Sequence, residues 1–351
     1  MRSFTRENNR KKNRGTGLFA GLTVFFLAAG MAIGLSGCEE NTGTTSEGPV
    51  TREVFAMDTI MDLTVYGENA GEAINQAVEL IHQYDTLFSV TNPEGDVAKI
   101  NQAEGKPVAV SEETGDLLKK SLEVSEATEG VFDISIYPLV KVWGFTTGAH
   151  TVPTKAEREA ALAKVDYQKI HLLLDGRVQI EKGMELDLGA VAKGYLSQKL
   201  MELFQAQGVT SAIVSLGGNV QTIGKKPDDA PFVIGITNPA DGTSIYGTLE
   251  AENKAVVTSG IYQRNFREAG KLYHHIMDKS TGMPAENTLA SVTVVAEDGT
   301  TADALATALY VMGEEKAMEY QESHPEIQLI LIRKDGSCEY TSGISFKEME
   351  S

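Results

Sequence analysis

Only two cysteines, Cys38 and Cys338, stand among the 351 residues, so covalent bracing is nearly absent. If Cys38 is consumed by other chemistry, no intramolecular disulfide remains and stability must come from the core. Histidine is scarce at six and tryptophan occurs once. No zinc spacing, Gly-x-Ser-x-Gly elbow, P-loop or Cys nucleophile is present, which disfavours hydrolases of those types. Positive charge is short too: 31 Lys and Arg face 49 Asp and Glu, a net of −18. Beyond Arg52 there is no low-complexity stretch, long linker or internal repeat. With 42% hydrophobic and 7% aromatic residues, the chain can bury a large core and is not disordered as a whole.

The first 37 residues form a separate segment. Arg2, Arg6, Arg10, Lys11, Lys12 and Arg14 precede an apolar run from Gly17 to Leu35, which ends in Leu35-Ser36-Gly37-Cys38. A basic start, an apolar stretch and small residues before a cut point make a secretory signal peptide. The terminal Leu-Ser-Gly-Cys resembles the lipobox of bacterial lipoproteins, in which Cys38 receives the lipid. Acyl chains bury at about 0.8 kcal/mol per CH2, so two or three would hold the protein on a membrane. The expectation is an extracytoplasmic protein, lipid-anchored to the bacterial cell membrane through Cys38. Removing residues 1–37, with six basic residues and one acid, leaves 25 basic and 48 acidic residues, a net of about −23. Such a surface repels phosphate backbones, which argues against nucleic acid as a partner. An anionic small substrate would need a local cation. Residues 38–50 read as a flexible tether, and residues 51–351 as one catalytic domain with room for two lobes.

Periodicity gives a mixture of strands and helices. Met61, Leu63 and Val65 alternate with polar neighbours, as in a half-buried strand. Ile74, Val78, Ile81 and Phe88 recur at helical spacing. Thr154 and Glu157 fit a capping box. A hairpin spans 169–180 around Asp175-Gly176. Leu196, Leu200 and Phe204 mark a helix ending near Gly208. Strands are expected at 211–216, 231–236, 246–250, 255–258 and 291–295, a helix at 301–311, and a final hairpin at 327–341, with Cys338 a small buried residue. Hairpins interspersed with helices indicate an α+β fold of mixed or antiparallel sheets with flanking helices, not a doubly wound parallel sheet.

Five segments carry possible chemistry. In Thr301-Ala302-Asp303-Ala304-Leu305-Ala306-Thr307, Asp303 and Thr307 share a helix face and offer two hard oxygens suited to Mg2+. The plainer reading is a dipole-favoured Asp and a Thr bonded to its own helix. In Asp187-Leu188-Gly189-Ala190-Val191-Ala192-Lys193-Gly194-Tyr195, small residues let backbone approach a ligand, and Lys193 can meet a phosphate. Tight helix packing explains the same pattern. Ser215-Leu216-Gly217-Gly218-Asn219 reads as a turn after a strand. His274-His275-Ile276-Met277-Asp278 supplies a candidate base, or an Asx-turn beside a satisfied histidine. Gly130-Val131-Phe132-Asp133 and Pro138 to Phe145 hold aromatics that suit a planar ring or the core.

Taken in order, Met57-Asp58-Thr59, Ser89…Asn101, GVFD, PLVKVWGF, DLGAVAKGY, SLGGN, VTSGIY, HHIMDKSTG and ADALATALYVMG resemble the ApbE family of FAD:protein FMN transferases. The resemblance covers about residues 53–313, and many family members look like membrane-anchored lipoproteins. It implies that Asp303 and Thr307 hold Mg2+ with the backbone oxygens of Ala190 and Ala306. It implies that Met57, Val131, Phe132, Asp133, Asp187, Lys193 and Ile276 line the FAD site. His275 would be the catalytic base, with Asp278 beside it. Two positions depart from the pattern: Asp58 stands where the family often has Gly, and Thr91 where it often has Tyr. The implied reaction is attack by a Thr or Ser hydroxyl of an acceptor protein on the FMN-side phosphorus of FAD, with AMP leaving. Secreted or membrane redox flavoproteins are the implied acceptors. An FAD pyrophosphatase and a non-catalytic flavin-binding lipoprotein are the alternatives.

Overall fold

The chain from residue 48 to residue 349 is described by a computed structural model. The signal segment, Cys38 and most of the tether lie outside the described residues. The described chain opens on a hairpin, β1 (Val50–Ala56) and β2 (Thr59–Tyr66), followed by α1 (Ala70–Leu87), α2 (Asp96–Gln102), β3 (Val108–Ala109), α3 (Glu112–Ala127), α4 (Tyr137–Val142) and α5 (Lys155–Leu162). Short strands β4 (His171–Leu172) and β5 (Arg177–Gln179) precede α6 (Ala192–Ala206). Next come β6 (Ser211–Leu216), β7 (Asn219–Ile223), β8 (Phe232–Thr237), β9 (Ile245–Ala251) and β10 (Ala255–Gly260). Two small hairpins, β11 (Asn265–Glu268) with β12 (Lys271–His274) and β13 (Met277–Asp278) with β14 (Met283–Pro284), lead to β15 (Leu289–Ala296). The rest is α7 (Gly299–Met312), α8 (Glu314–Ser323), β16 (Gln328–Arg333), β17 (Cys338–Tyr340) and β18 (Phe346–Glu348).

The frame is an eight-stranded sheet in the order β1-β2-β6-β7-β10-β15-β16-β17. Every neighbouring pair in it is antiparallel. The fold is therefore α+β, as the interspersed hairpins indicate. Alternation along each strand builds the layers. On β2, Met61, Leu63 and Val65 are buried against α1 and α6. On β15, Val292 and Val294 face α7, whereas Val295 points to the other side. There the three-stranded sheet β18-β9-β8 covers the central strands through Ile234, Leu249 and Phe346. The central strands are thus buried on both faces, with helices above one and a small sheet below the other.

Local chemistry sets several boundaries. The Thr154 side chain accepts from Glu157 N while the Glu157 side chain accepts from Thr154 N, the expected capping box of α5. Asp298 caps α7 by accepting from Thr301 N. Gly217 and Gly218, with φ of 63° and 94°, form a two-residue turn between β6 and β7. A turn with both central residues left-handed matches the twist of the strands it joins. Asn219, read from sequence as the end of that turn, is already inside a strand. Trp143 is fully buried with Leu139, Phe145, Ala161 and Met277, and its Nε1 donates to Gly282 O. The Pro138–Phe145 aromatics therefore serve a satellite core. Cys338 is half-buried on β17 instead of fully enclosed.

Strand register puts three structures at one end of the main sheet. The β1–β2 turn, the β6–β7 turn and the last residues of β10 lie together, because Met61 pairs with Leu216 and Val257 pairs with Asn219. The N-terminus of α6 and the body of α7 reach the same end.

Candidate active site

The helices α6 and α7 meet at a pair of glycines, Gly194 and Gly299. A Cβ on Gly194 would lie 2.2 Å from Gly299 O and 2.5 Å from Asp303 Cβ. A Cβ on Gly299 would lie 2.7 Å from Gly194 O. Only glycine permits this approach. It brings the buried Asp303 carboxylate against the start of α6, where Oδ2 accepts from Gly194 N at 2.8 Å. The first N–H groups of a helix have no partner within their own helix, and an anion is favoured there. Burial nevertheless pushes the Asp303 pKa up, opposed by Lys193, by the Gly194 N–H and by Asn219. Asn219 Nδ2 is itself buried, exerts this influence on Asp303, yet completes no hydrogen bond.

Thr307 lies one turn along α7, half-buried, and its Oγ1 is 3.1 Å from Ser259 Oγ on β10. Asp303, Ala306 and Thr307 are three and four apart and so share a face. Ala190 sits in the turn that enters α6. Among the described residues no three His, Cys, Asp or Glu side chains gather as a metal cluster. The donor set is instead one carboxylate with neutral oxygens. A desolvated carboxylate with an alcohol on the same helix face fits a hard divalent cation, which would replace lost solvation.

Lys193 and Asp187 flank this group. Lys193 Nζ donates to Gly189 O at 3.3 Å, and its charge bears on Asp187, His275 and Asp303. Asp187 Oδ1 accepts from Gly189 N at 2.8 Å. Burial raises its pKa, and the Gly189 N–H, Arg264 and Lys193 oppose that rise.

His275 follows β12 and is half-buried. Its Nδ1 lies 3.2 Å from Arg264 O, which also accepts from His275 N. A carbonyl oxygen only accepts, so Nδ1 carries the hydrogen and Nε2 presents a lone pair. Burial, then the Arg264 charge, holds the imidazole pKa down at about 3. The ring is thus neutral, with Nε2 left as an acceptor.

The remaining expected residues are placed differently. Asp278 does not bond His275: its carboxylate accepts from Ser280 N, Ser280 Oγ and Thr281 Oγ1, building the turn between β13 and β14. Asp133 is buried and committed to the protein, accepting from Ser135 N, Ser135 Oγ, Tyr167 N and Lys279 Nζ. Val131 and Phe132 precede it, Phe132 inside the core. Ile276 is buried against α7 residues. Met57 packs on the main core, with its N–H donated to Asp85 Oδ1. Met57 and Asp58 both take left-handed φ, 48° and 59°. That geometry explains a preference for Gly there, and Asp is among the residues that tolerate it. Thr91 joins Ser89 in an exposed turn.

Three site residues carry no assigned role in the sequence reading: Asn219 and Ser259, which stand in quoted motifs, and Arg264. Asn219 and Ser259 are polar groups on strands, visible only once register aligns them with α7. Arg264 lies in a loop and meets Asp58, at 3.7 Å, from far along the chain. Two open depressions along α1 (Glu72, Glu79) and α8 (Glu315, Glu319) contain none of these residues.

Comparison with known proteins identifies relatives of the whole described domain. The ApbE family matches residues 57–331. An FAD:protein FMN transferase of Klebsiella pneumoniae is 35% identical over 266 residues, covering 74% of this chain and 82% of the relative. One from Treponema pallidum is 32% identical over 315 residues, covering 84% of this chain and 87% of its own length. The crystal structure of the ApbE protein from Thermotoga maritima superposes with a TM-score of 0.79 at 32% identity, covering 84% of this chain and 97% of that one. The flavin transferase ApbE from Vibrio cholerae gives 0.75 at 28% identity, with the same coverage of 84% and 97%. With its sheet, its paired helices and most of its length matched in this way, the chain belongs to the ApbE family.

Proposed function

We propose that this chain is an FAD:protein FMN transferase that moves the FMN half of FAD onto a Thr or Ser hydroxyl of an acceptor protein and releases AMP. The observation that carries the reading is the Asp303 carboxylate bonded to the start of α6, with Thr307 on the same α7 face and Lys193 and His275 alongside. Asp303 and Thr307, with backbone oxygens of Ala190 and Ala306, would hold Mg2+. Bound there, Mg2+ would neutralise diphosphate charge and favour in-line displacement.

The chain's own groups do the rest. Lys193 offers a point charge to a phosphate oxygen. His275 Nε2 takes the proton of the acceptor hydroxyl as that oxygen bonds to the FMN-side phosphorus. The phosphoanhydride bond to AMP breaks, and AMP leaves with its own phosphate. Attack by water in place of the acceptor hydroxyl would give free FMN instead. Asp278 and Asp133 support this set by fixing the turn after His275 and its Lys279.

Acylation of Cys38 would keep the enzyme on the outer face of the cell membrane, among secreted or membrane redox flavoproteins, its acceptors. The test is incubation with FAD, Mg2+ and such an acceptor. Flavin fluorescence on the denatured acceptor, its mass raised by FMN, and AMP in equal amount are expected. Free FMN and AMP with no labelled acceptor would establish hydrolysis, and binding with no AMP would establish a carrier.

A further inference from the structure

Arg264 is a cationic group beside Asp187 and His275 that the reaction above leaves unused. It stands between β10 and β11 and is joined to the catalytic histidine through its backbone, since Arg264 O accepts from His275 N and faces His275 Nδ1. Its guanidinium has five N–H donors, yet among the described residues it donates no hydrogen bond within the protein. Its ion pair is with Asp58, 3.7 Å away, with side-chain exposures of 56% and 88%. A pair so exposed and so loosely met is screened by water and holds the guanidinium weakly. Asp58 is presented on the β1–β2 turn by two successive left-handed residues. Strained non-glycine backbone of this kind persists where the surrounding structure enforces it, often at ligand sites.

The local charge count gives the reason for such an arrangement. The mature chain is strongly acidic, and Asp187, Asp303 and Asp58 all face this end of the sheet. Beside the metal that Asp303 and Thr307 would hold, Lys193 offers the diphosphate a single point charge. A planar guanidinium reads two phosphate oxygens at once, which an ammonium cannot.

We propose that Arg264 is a phosphate-contact residue for the diphosphate of FAD, and that Asp58 is an internal counterion competing with the substrate for it. This inference rests on the FAD reading above. In the free enzyme the guanidinium rests near Asp58. With FAD present it turns to the diphosphate, beside the hydroxyl-activating His275 that its own carbonyl orients. Asp58 thereby sets how tightly a diphosphate is held without touching it.

The test compares the full-length protein with Arg264→Met, Arg264→Lys and Asp58→Asn, reading FAD, ADP and riboflavin binding in Mg2+ at low salt. Asn is chosen because it tolerates the left-handed backbone at position 58. Arg264→Met should weaken FAD and ADP binding by about tenfold to a hundredfold and leave riboflavin binding unchanged. Arg264→Lys should recover part of the loss. Asp58→Asn should tighten FAD binding about twofold to fivefold, an effect that fades in high salt. Equal losses for FAD and riboflavin in Arg264→Met would reduce Arg264 to a structural role, and unchanged FAD binding would remove it from the site. Asp58→Asn binding FAD more weakly would overturn the competition. A wild-type protein that binds no FAD would defeat the functional reading itself, whereas a wild-type transferase indifferent to Arg264→Met would defeat this inference alone.

Discussion

Asp303 on α7 accepts a 2.8 Å hydrogen bond from the backbone N–H of Gly194 on α6. One carboxylate thus joins two helices, and it is the only negative charge that α7 turns toward Lys193 and Asn219. Its charge and its acceptor oxygen serve different ends, which substitution can separate.

Asp303→Asn keeps an acceptor for Gly194 N and removes the charge. Turnover should fall by at least about a hundredfold, and FAD binding should lose its dependence on Mg2+, with the melting temperature near that of wild type. Asp303→Ala should show the same loss of AMP release and also melt earlier. Full AMP release by Asp303→Asn would remove the metal-holding role.

His275→Asn should leave FAD affinity intact and lower turnover by about 10²- to 10⁴-fold. The wild-type pH profile carries a second check. The imidazole pKa is held at about 3, below its ordinary value, so the neutral base form persists well into acid. kcat/KM measured between about pH 4.5 and 8 should show no acid limb belonging to His275. A limb near 6.5 that vanishes in His275→Asn would contradict this.

Its neighbour makes the stability acid-sensitive. Burial holds His274 at about 4, with Nε2 against Ala285 O and Nδ1 buried without a partner. The folded pKa lies below the unfolded one. The unfolded chain therefore binds the extra proton, and the stabilisation is complete above about pH 6.5 and lost as pH falls toward 4. Urea unfolding should show on the order of 2–3 kcal/mol of this loss, at about 1.4 kcal/mol per pKa unit. His274→Gln should reduce the slope there and leave the share that His275, held at about 3, contributes over the same range. An identical acid slope in the variant would assign it elsewhere.

Gly194→Ala tests the helix contact. Alanine is the better helix former by about 1 kcal/mol. Its Cβ, however, would stand 2.2 Å from the Gly299 carbonyl oxygen, and backbone cannot move aside cheaply. A net loss of about 1–3 kcal/mol is expected, with AMP release falling as Asp303 is displaced. A variant as stable and active as wild type would show that the helices have room to separate.

Much of the fold could be read in advance where apolar periodicity was clean. The strand expected at 211–216 is Ser211–Leu216, and the helix expected at 301–311 lies within Gly299–Met312. The elements that escaped carry polar residues on their buried faces. In α3, Thr114, Ser121 and Ser125 are buried, the two serines donating to carbonyls one turn back, so the apolar repeat is broken. In β7, Asn219 and Gln221 are buried beside Ser197, and Thr222 is buried with its hydroxyl donated to Lys254 O, which hides a core strand behind a loop-like sequence. The site divides along the same line. Asp303 and Thr307 are one local helix spacing and were legible. Arg264 depends on a turn some two hundred residues away, and no local pattern announces it. Asp133 and Asp278 were legible as acids in notable motifs, but their bonds within the protein emerge only from the fold.

The glycine seam between α6 and α7 also decides where this enzyme can vary. With backbone lying on backbone at Gly194 and Gly299, neither helix can shift to suit a new ligand without dragging the other, so the centre around Asp303 is held fixed. Adaptation to different acceptor proteins is left to the parts that merely lean over it: the β1–β2 tip and the arm bearing Arg264. Engineering a new acceptor preference should begin at those overhanging pieces and leave the seam alone.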